Sequence, residues 1–437
     1  MTAVNSPVPT NAGLSTSLMK TVRSAARLNV AAALHGRGRA TRDRAGVTLT
    51  GYDPLDPATA ANPYPAYRGL HASGRLHYSA KRATWVLCRM DDVRSALRDT
   101  DCVSSTLGVT RIRFSAPLLV STDGDQHAAL RKRVLPAFTR GAIESWQQIV
   151  EQMASELVDR LLGNPGADVV QELAIPLPMR IIAHILGVPD ADIGQFRQWS
   201  EHAVQILNVT PNPRTFANTF RSAVAVRGLR GYFLAQFKAG ELTGSETLLG
   251  RLLEANEEGS LTDEELFLIA LLLLMAGNET TTNLLGGLFD TLARLPEQYE
   301  LIRSEPELVP NAIEEQLRYA SPIQNLYRYT IADYAVGEAV IPRGERVMMS
   351  FGAANRDPLA FESPDEFRAD RNVRAHVAFG HGAHLCLGAQ LARLEGQTVL
   401  RELTRKVATI HAEGPTIWST NSSLRGPTQL RVRLVPL

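Results

Sequence analysis

The chain has very little cysteine: its 437 residues include only Cys88, Cys102 and Cys386. Three thiols are too few for a disulfide framework or for a metal site of four thiolates, and their scarcity indicates a reducing compartment. Any metal ion in this protein would therefore have to be bound through few sulfur ligands.

An excess of charge of either sign is also lacking. Lys and Arg together number 46, Asp and Glu 45, and the formal net charge is +1. Such a balance gives no long-range attraction to a polyanion and does not support a nucleic-acid-binding class. With 44% hydrophobic and 21% charged residues, the composition is typical of a globular protein.

Long apolar runs are absent as well. The longest, Leu266–Ala276, is shorter than the roughly 18 residues that a membrane-spanning helix needs, so we expect no membrane span. Residues 1–45 carry seven Lys and Arg against Asp43 alone, and these charges interrupt any apolar signal sequence. We interpret 1–45 as a basic, flexible extension, while a helix that binds a membrane surface or a partner remains the alternative.

Hydrophobic periodicity predicts a small sheet and a much larger helical part. Leu76–Ser79 and Thr84–Cys88 read as two strands of a hairpin. Residues 125–318 are dominated by apolar positions at helical spacing. Neither an internal repeat nor a dividing linker is apparent, so 46–437 are predicted to form one domain that is mainly α with a minor β region.

The longest predicted helix covers residues 262–292 and begins with the capping-box pattern of Thr262 and Glu265. It is apolar almost all round, which predicts a central, buried position. A second helix is predicted from Asn311 to Tyr319.

Cys386 lies in a glycine-rich stretch, 379–388, which reads Phe-Gly-His-Gly-Ala-His-Leu-Cys-Leu-Gly and precedes a strong helix former, 389–395. Free N–H groups and the dipole at that helix N-terminus favour a thiolate, with a lowered thiol pKa. The glycines let the backbone approach a flat ligand closely. The loop alone leaves open a buried structural cysteine.

Phe379, Gly382, Cys386 and Gly388 occupy every fixed position of Phe-x-x-Gly-x-x-x-Cys-x-Gly, so the stretch resembles the haem-binding signature of the cytochrome P450 family. The resemblance implies the cytochrome P450 fold and a haem b (iron protoporphyrin IX) whose axial iron ligand is the Cys386 thiolate. It further implies that Phe379 packs beside the sulfur and that His384 donates to a haem propionate.

A second stretch, Ala276-Gly-Asn-Glu-Thr-Thr281, resembles the family's oxygen-activation motif. A Glu279 inside an apolar helix is costly unless paired or solvated, and Thr280 can bond back to the Ala276 carbonyl. A kinked helix with Glu279 in a structural ion pair is the alternative. The resemblance implies that Ala276 contacts the cofactor, that Thr280 steadies bound dioxygen and its proton-carrying water, and that Glu279 delivers protons from solvent.

Glu315-Gln-Leu-Arg318 resembles the family's Glu-x-x-Arg motif, in which the two charges share one helix face. By itself the pattern fits any solvated helix. It stands between the two other motifs, and Arg371 matches the arginine that completes the family's buried triad. The resemblance therefore implies that Glu315, Arg318 and Arg371 are structural.

His127 and Arg131, four residues apart on a predicted helix, form a further match. An exposed basic helix face is the alternative. The resemblance implies that both residues bind the haem propionates, together with Arg328.

The resemblance implies a monooxygenase that inserts one oxygen atom from O₂ into a small organic substrate. The alternatives are a peroxygenase of the same fold driven by hydrogen peroxide, against which Glu279 and Thr280 argue, and a haem sensor or carrier without turnover.

The electrons are expected from a separate ferredoxin-type partner and its NAD(P)H reductase, because the sequence has neither a dinucleotide fingerprint nor an iron–sulfur cysteine cluster. Lys132, Arg133 and Arg393 form the predicted docking patch. Because the sequence around Cys386 resembles that of the family's soluble bacterial members, we expect a cytoplasmic protein.

Three segments are implied to line the substrate pocket: Thr106–Leu119, Val204–Phe216 and Pro322–Leu326. Arg111 and Arg113 could meet a substrate carboxylate, although solvent-facing loop arginines are the commoner case. The sequence therefore names no substrate.

Overall fold

The structure is a computed structural model that describes residues 46–111, 118–204, 213–240, 242, 245, 247–254, 262–373 and 375–437. The basic extension 1–45, Arg113 and most of the predicted pocket segment after Val204 lie outside these residues, so the expectations for them remain predictions.

The first half of the chain begins with short strands and then becomes helical. Its elements are β1 Val47–Leu49, α1 Pro57–Ala61, α2 Tyr64–Ser73, β2 Leu76–Ser79, β3 Thr84–Leu87, α3 Met90–Arg98, β4 Val103–Ser104, α4 Gly124–Val134, α5 Arg140–Ser145, α6 Gln147–Leu162, β5 Ala167–Asp168, α7 Pro176–Leu186 and α8 Ile193–Val204. A π-helical turn, Val170–Ala174, joins β5 to α7.

The second half contains the longest helix and most of the strands. Its elements are α9 Pro213–Ala239, α10 Leu248–Glu254, α11 Asp263–Arg294, α12 Pro296–Ser304, α13 Val309–Tyr319, β6 Asn325–Thr330, β7 Tyr334–Val336, β8 Ala339–Ile341, β9 Arg346–Ser350, α14 Phe351–Ala354, α15 Ala389–Lys406, β10 Val407–Ala412, β11 Ile417–Trp418, β12 Pro427–Gln429 and β13 Arg431–Pro436.

The largest sheet has six strands in the order β1-β2-β3-β9-β6-β4. The predicted hairpin is its second and third strands, which pair antiparallel from Leu76 opposite Leu87 to Ser79 opposite Thr84. β6 pairs antiparallel with β9, so that Arg328 lies opposite Val347 and Tyr329 opposite Arg346. The mainly helical prediction with a minor sheet is confirmed.

Helix α11 begins with the predicted capping box: the backbone N–H of Glu265 donates to Thr262 Oγ1 at 3.2 Å, and the N–H of Thr262 donates to Glu265 Oε2 at 2.8 Å. The helix continues for 32 residues and packs against α7, α8, α9, α12, α13, α15 and β10. It therefore has the predicted central position.

By length and composition α11 could also cross a membrane, and it is the one such helix within the described ranges. Its most apolar window of 18 residues has a mean hydropathy of 1.3, and 44% of that window is buried. A core helix of a globular protein meets the same criterion. We expected no membrane span because the longest uninterrupted apolar run is short, and this expectation stays a prediction.

The helix predicted to begin at Asn311 begins two residues earlier, at Val309. Pro310 is favoured in a first helical turn because its missing N–H needs no partner there. Asn311 does not cap this helix, since its side-chain amide donates instead to the carbonyl of Ala369.

Two large hydrophobic clusters lie on either side of the Cys386 loop. One joins the helices, with Leu284, Leu288 and Leu400 completely or almost completely buried. The other joins the six-stranded sheet to α3, with Trp85 and Val347 buried. The loop that precedes α15 connects these two parts of the structure.

Candidate active site

The Cys386 loop is a compact turn held by its own backbone. The N–H of Cys386 donates to the carbonyl of Phe379 at 2.9 Å, and Gly380 and Gly382 have φ values of 75° and 71°, which glycine adopts without strain. A Cβ atom on Gly382 would lie 2.8 Å from the carbonyl oxygen of Leu97. The loop therefore approaches α3 closely only because position 382 is glycine.

Cys386 presents solvent-accessible surface, although protein atoms surround its sulfur closely. Burial raises the pKa of the thiol, while the N–H of Gly388 and the charges of Arg131 and Arg393 act in the opposite direction. The expectation of a lowered pKa is therefore wrong for the protein alone, because desolvation outweighs the helix N-terminus. A positively charged metal ion would favour the thiolate at this position.

One part of α11 faces open space. Its accessible side chains include Ala276, Glu279 and Thr280, at three- and four-residue spacing, whereas the helix is almost fully buried after Thr280. An accessible face in the middle of a core helix indicates a cavity that solvent can enter.

Thr280 Oγ1 donates to the carbonyl of Ala276 at 2.7 Å, as its position in the helix suggested. Because the hydroxyl proton is engaged, the oxygen can accept a hydrogen bond from a ligand or a water. Burial raises the pKa of Glu279, and its Oε2 is buried with no hydrogen-bond partner in the described part of the chain. The alternative of a structural ion pair for Glu279 thus finds no support among these residues.

Basic side chains from α4, β6 and the Cys386 loop converge beside the cavity. The rings of His127 and His384 lie 4.2 Å apart between centroids. His127 Nε2 is buried without a hydrogen-bond partner among the described residues. Its pKa is lowered to about 4 by burial and by the neighbouring His384 and Arg131. An unpaired imidazole next to cations is a candidate donor to an anion.

Arg328 is only 4% exposed; within the described residues its Nη1 donates to the carbonyl of Tyr327 at 2.9 Å, and its guanidinium has no carboxylate partner. Burial lowers its pKa to about 10, with the charge of Asp123 opposing. A buried guanidinium without a carboxylate partner is costly in the protein alone. An anionic ligand would remove that cost.

These features fit a haem. Cys386 offers a sulfur ligand and the accessible face of α11 offers a wall for a flat apolar group. His127 and Arg328 offer unpaired donors for its carboxylates.

Asp123 belongs to this site although the sequence analysis did not single it out. Its Oδ1 lies 2.7 Å from His384 Nε2 and accepts from Ser105 Oγ at 2.6 Å, while its Oδ2 accepts from Ser104 Oγ at 2.7 Å. These hydrogen bonds lower the pKa of the Asp123 carboxyl well below its usual range. Asp123 therefore fixes one ring nitrogen of His384 and leaves the other for a ligand.

Glu315, Arg318 and Arg371 are in contact; the first two are buried and Arg371 is half-buried. Glu315 accepts from Arg318 Nε at 2.7 Å and from Arg371 Nε at 3.0 Å. Arg318 is 0% exposed and donates further to the carbonyls of Pro364 and Glu366, both at 2.8 Å. The group ties α13 to the segment that leads to the Cys386 loop.

Arg393 is not available for the predicted docking patch. Its guanidinium binds Glu314 through Nε at 2.6 Å and Nη2 at 2.9 Å, and it lies over the Phe379 ring at 4.6 Å. His376 Nε2 lies 3.0 Å from the same carboxylate. We name Glu314, His376 and Arg393 the Phe379 clamp. Lys132 is exposed and Arg133 half-buried.

Comparison with known proteins agrees with this geometry. The family model described as Cytochrome P450 matches residues 236–408. A Mycobacterium tuberculosis protein, beta-dihydromenaquinone-9 omega-hydroxylase, is 45% identical over 415 residues, covering 95% of this chain and 85% of that protein. Cytochrome P450 107B1 of Saccharopolyspora erythraea is 37% identical, covering 80% of this chain and 89% of that protein.

The fold is also similar to that of a solved structure. That of CYP109E1 from Bacillus megaterium in complex with corticosterone superposes with a TM-score of 0.78 at 32% identity, covering 86% of this chain and 99% of that one.

Proposed function

Because the chain belongs to the cytochrome P450 family, whose members are haem b-dependent oxidoreductases, we propose that it is a monooxygenase that inserts one oxygen atom from O₂ into an organic substrate. The observation that carries this proposal is the unpaired donor beside the Cys386 loop: the His127 ring lies 4.2 Å from the ring of His384, two residues before Cys386, and its Nε2 is buried without a hydrogen-bond partner among the described residues. The catalytic domain of this proposal comprises residues 46–437.

In this proposal Cys386 would bind the haem iron through its sulfur, and Phe379 and Ala276 would contact the cofactor. His127, Arg131, Arg328 and His384 hold the two propionates, which supply the negative charge that the buried Arg328 lacks in the protein alone. These donors come from three separate parts of the chain. When bound, haem supplies the redox-active iron at which dioxygen is activated.

Two residues of α11 are proposed to manage protons. The Thr280 hydroxyl donates to Ala276, so its oxygen can accept from a water and hold that water in one position. Burial raises the pKa of Glu279 and its Oε2 has no hydrogen-bond partner among the described residues, so its carboxyl is suited to take up and release a proton. Together they offer a route for protons from solvent to the cavity.

The electrons are proposed to come from a ferredoxin-type protein with its own reductase, in the cytoplasm. Lys132 and Arg133 support a docking surface near the Cys386 loop, since Arg131 and His127 of the same helix lie at the site. Arg98 replaces Arg393 in this surface: it is exposed, and it follows Leu97, which contacts Gly382 of the loop.

For the substrate we propose an elongated, largely apolar molecule. The 45%-identical relative is named as an omega-hydroxylase of beta-dihydromenaquinone-9, and the cavity face of α11 in this chain includes Leu272, Met275 and Ala276. Apolar side chains around the reacting position favour oxidation of a hydrocarbon end.

The decisive test is the absorption spectrum of the dithionite-reduced protein under carbon monoxide, for the wild type and for Cys386→Ala. We expect a strongly red-shifted Soret band that the substitution abolishes, because only the thiolate produces it. A wild-type protein that binds no haem, or one with an imidazole-type spectrum, would overturn the proposal.

A further inference from the structure

Four cationic side chains meet at one end of the six-stranded sheet, on the face of β6 that carries Tyr327 and Tyr329. Arg346 lies over the Tyr329 ring at 5.9 Å, and its Nη1 donates to the carbonyl of Arg82 at 3.4 Å. The Tyr329 hydroxyl donates in turn to the carbonyl of Arg111, at 3.3 Å. Lys81 precedes Arg82 in the β2–β3 turn.

A single carboxylate compensates part of this charge. Asp53 accepts from Arg82 Nε at 2.7 Å and Nη2 at 2.6 Å, and Lys81 Nζ lies 2.9 Å from it. These contacts occupy both oxygens of Asp53. In the described part of the chain Arg111 and Arg346 make no ion pair.

The uncompensated charges are costly because they are half-buried. Burial lowers the pKa of the Arg111 guanidinium, and the positive charges of Arg346 and Arg82 lower it further. The same charges act on the phenol of Tyr327. Burial raises the pKa of Tyr327 to about 12, and the positive charges of Arg111 and Arg346 oppose this rise. Two like charges held together at the edge of the protein are stabilised by an anion placed between them.

The cluster lies one strand length from the cavity. β6 begins at Asn325, in the segment implied to line the substrate pocket, and reaches Tyr329 four residues later, a distance of about 13 Å at the usual rise per residue. The N–H of Tyr327 donates to the carbonyl of Val109 at 2.9 Å, so the segment that carries Arg111 runs beside β6. Arg111 itself belongs to 106–111, the described start of the other segment implied to line the pocket, so a long ligand that follows this segment past the edge of β6 could place one end at the cluster and the other at the cavity.

We propose that Arg111 and Arg346 bind the oxyanion of an elongated substrate, a carboxylate, sulfate or phosphate group at the end remote from the oxidised carbon. The two guanidinium groups supply the charge, and Tyr329 contacts Arg346 through its ring and the Arg111 carbonyl through its hydroxyl. The assignment to a substrate rests on the proposed function. The anion site itself does not.

The first experiment compares hexadecanoic acid with hexadecan-1-ol, which differ only at the polar end, by their Soret shifts with the haem-loaded protein. We expect the wild type to bind the acid about tenfold or more tightly than the alcohol, because hydrogen bonds to charged groups are the strong ones. Arg111→Gln and Arg346→Gln should lose that preference. Arg343→Gln, which removes an exposed charge in the β8–β9 turn, should retain it.

The second experiment uses sulfate as the probe and needs no turnover. At matched ionic strength, sulfate should raise the thermal unfolding temperature of the wild type above its value in chloride, and Arg111→Gln should lose this increment. Equal sulfate stabilisation of both proteins would overturn the anion site. Equal affinity for acid and alcohol, or no Soret response to the acid, would overturn the substrate assignment.

The carbon monoxide spectrum separates these failures from failure of the proposed function. Arg111→Gln should show the same red-shifted band as the wild type, since neither guanidinium contacts the Cys386 loop. A variant that keeps this band while losing the acid preference has lost the anion site alone.

Discussion

Buried carboxyl groups in this protein differ according to their partners. Glu315 is enclosed by Arg318 and Arg371, whereas Glu279 and Glu395 are buried without an ion-pair partner among the described residues. A paired carboxylate stabilises the fold in its charged form, and an unpaired one favours the protonated form. Burial accordingly raises the pKa of both unpaired groups, Glu279 and Glu395.

Thr280→Ala tests the proposed role of the hydroxyl. The substitution removes the acceptor that would hold a water in the cavity but leaves the helix, so electrons should still be consumed while product yield per electron falls several-fold. The measurement is the ratio of product formed to NAD(P)H oxidised. Thr291→Ala, in a buried turn of the same helix beyond the cavity, is the control, and unchanged coupling in Thr280→Ala would contradict the role.

Glu395 makes a pH-dependent contribution to stability. Burial raises its pKa from 4.5 to about 8. Below about pH 4.5 both the folded and the unfolded state hold this proton. Between pH 4.5 and 8 only the folded state keeps it, so this contribution is lost as the pH rises, by about 1.4 kcal/mol per pH unit.

Glu395→Gln should remove this slope, because an amide does not ionise. We expect the urea midpoint of the wild type to fall between pH 6 and pH 8 more steeply than that of the variant. Glu338→Gln, in the exposed β7–β8 turn, should behave like the wild type. Parallel pH profiles of wild type and Glu395→Gln would show that Glu395 is ionised in the folded protein.

At the scale of elements, three helices position the Cys386 loop. α3 contacts it through Leu97 at Gly382. α13 and α15 contact it through the Phe379 clamp, in which Glu314 of α13 binds Arg393 of α15. Because Phe379 accepts the hydrogen bond from the Cys386 N–H, a displacement of its ring would move the sulfur.

Arg393→Ala should weaken this positioning without removing the ligand. We expect the red-shifted band of the carbon monoxide complex to form and then to be lost at a lower temperature than in the wild type. Arg393→Lys should be intermediate, since a lysine keeps the charge but lacks the bidentate fork. Arg401→Ala, on the exposed side of the same helix, should match the wild type. An Arg393→Ala complex as stable as the wild type would exclude a positioning role.

Local sequence signals predicted the elements whose determinants are local. The β2–β3 hairpin follows from alternation in two adjacent segments, and the start of α11 follows from Thr262 and Glu265. The start of α13 was misplaced because Asn311 bonds to Ala369, which is 58 residues away. Asn311 is a residue type that often caps helices, but tertiary packing gives its side chain a different partner, the carbonyl of Ala369.

The site followed the same rule. Motif spacing predicted Cys386, Thr280 and the Glu315 group from short stretches. Asp123 and His384 are in contact although 261 residues separate them in the sequence, and no local pattern predicts this contact. Arg393 was predicted to be free because a sequence does not show which basic side chains have carboxylate partners.

At the scale of the whole molecule, a net charge of +1 conceals an uneven distribution. Lys132 and Arg133 follow the proposed propionate-binding positions of α4, and Arg98 ends the helix that contacts the Cys386 loop. A local surface of this kind accelerates association with an acidic partner even when the average charge is near zero.

Lys132→Glu combined with Arg133→Glu should slow reduction by a ferredoxin at low salt by about tenfold and weaken the salt dependence of the rate. Stopped-flow reduction under carbon monoxide measures this directly. Lys238→Glu, at the exposed end of α9, changes the net charge in the same direction and should have little effect. Equal rates for the double variant and the wild type would place docking elsewhere.

The two faces of β6 contribute to two different proposed sites. Arg328 points to the cavity side, while Tyr327 and Tyr329 on either side of it point toward Arg111 and Arg346, because successive side chains of a strand alternate. Insertion or deletion of one residue before Tyr327 would exchange the two sets at once. Substitutions in this strand can therefore alter one face at a time, whereas a change in its length alters both faces together.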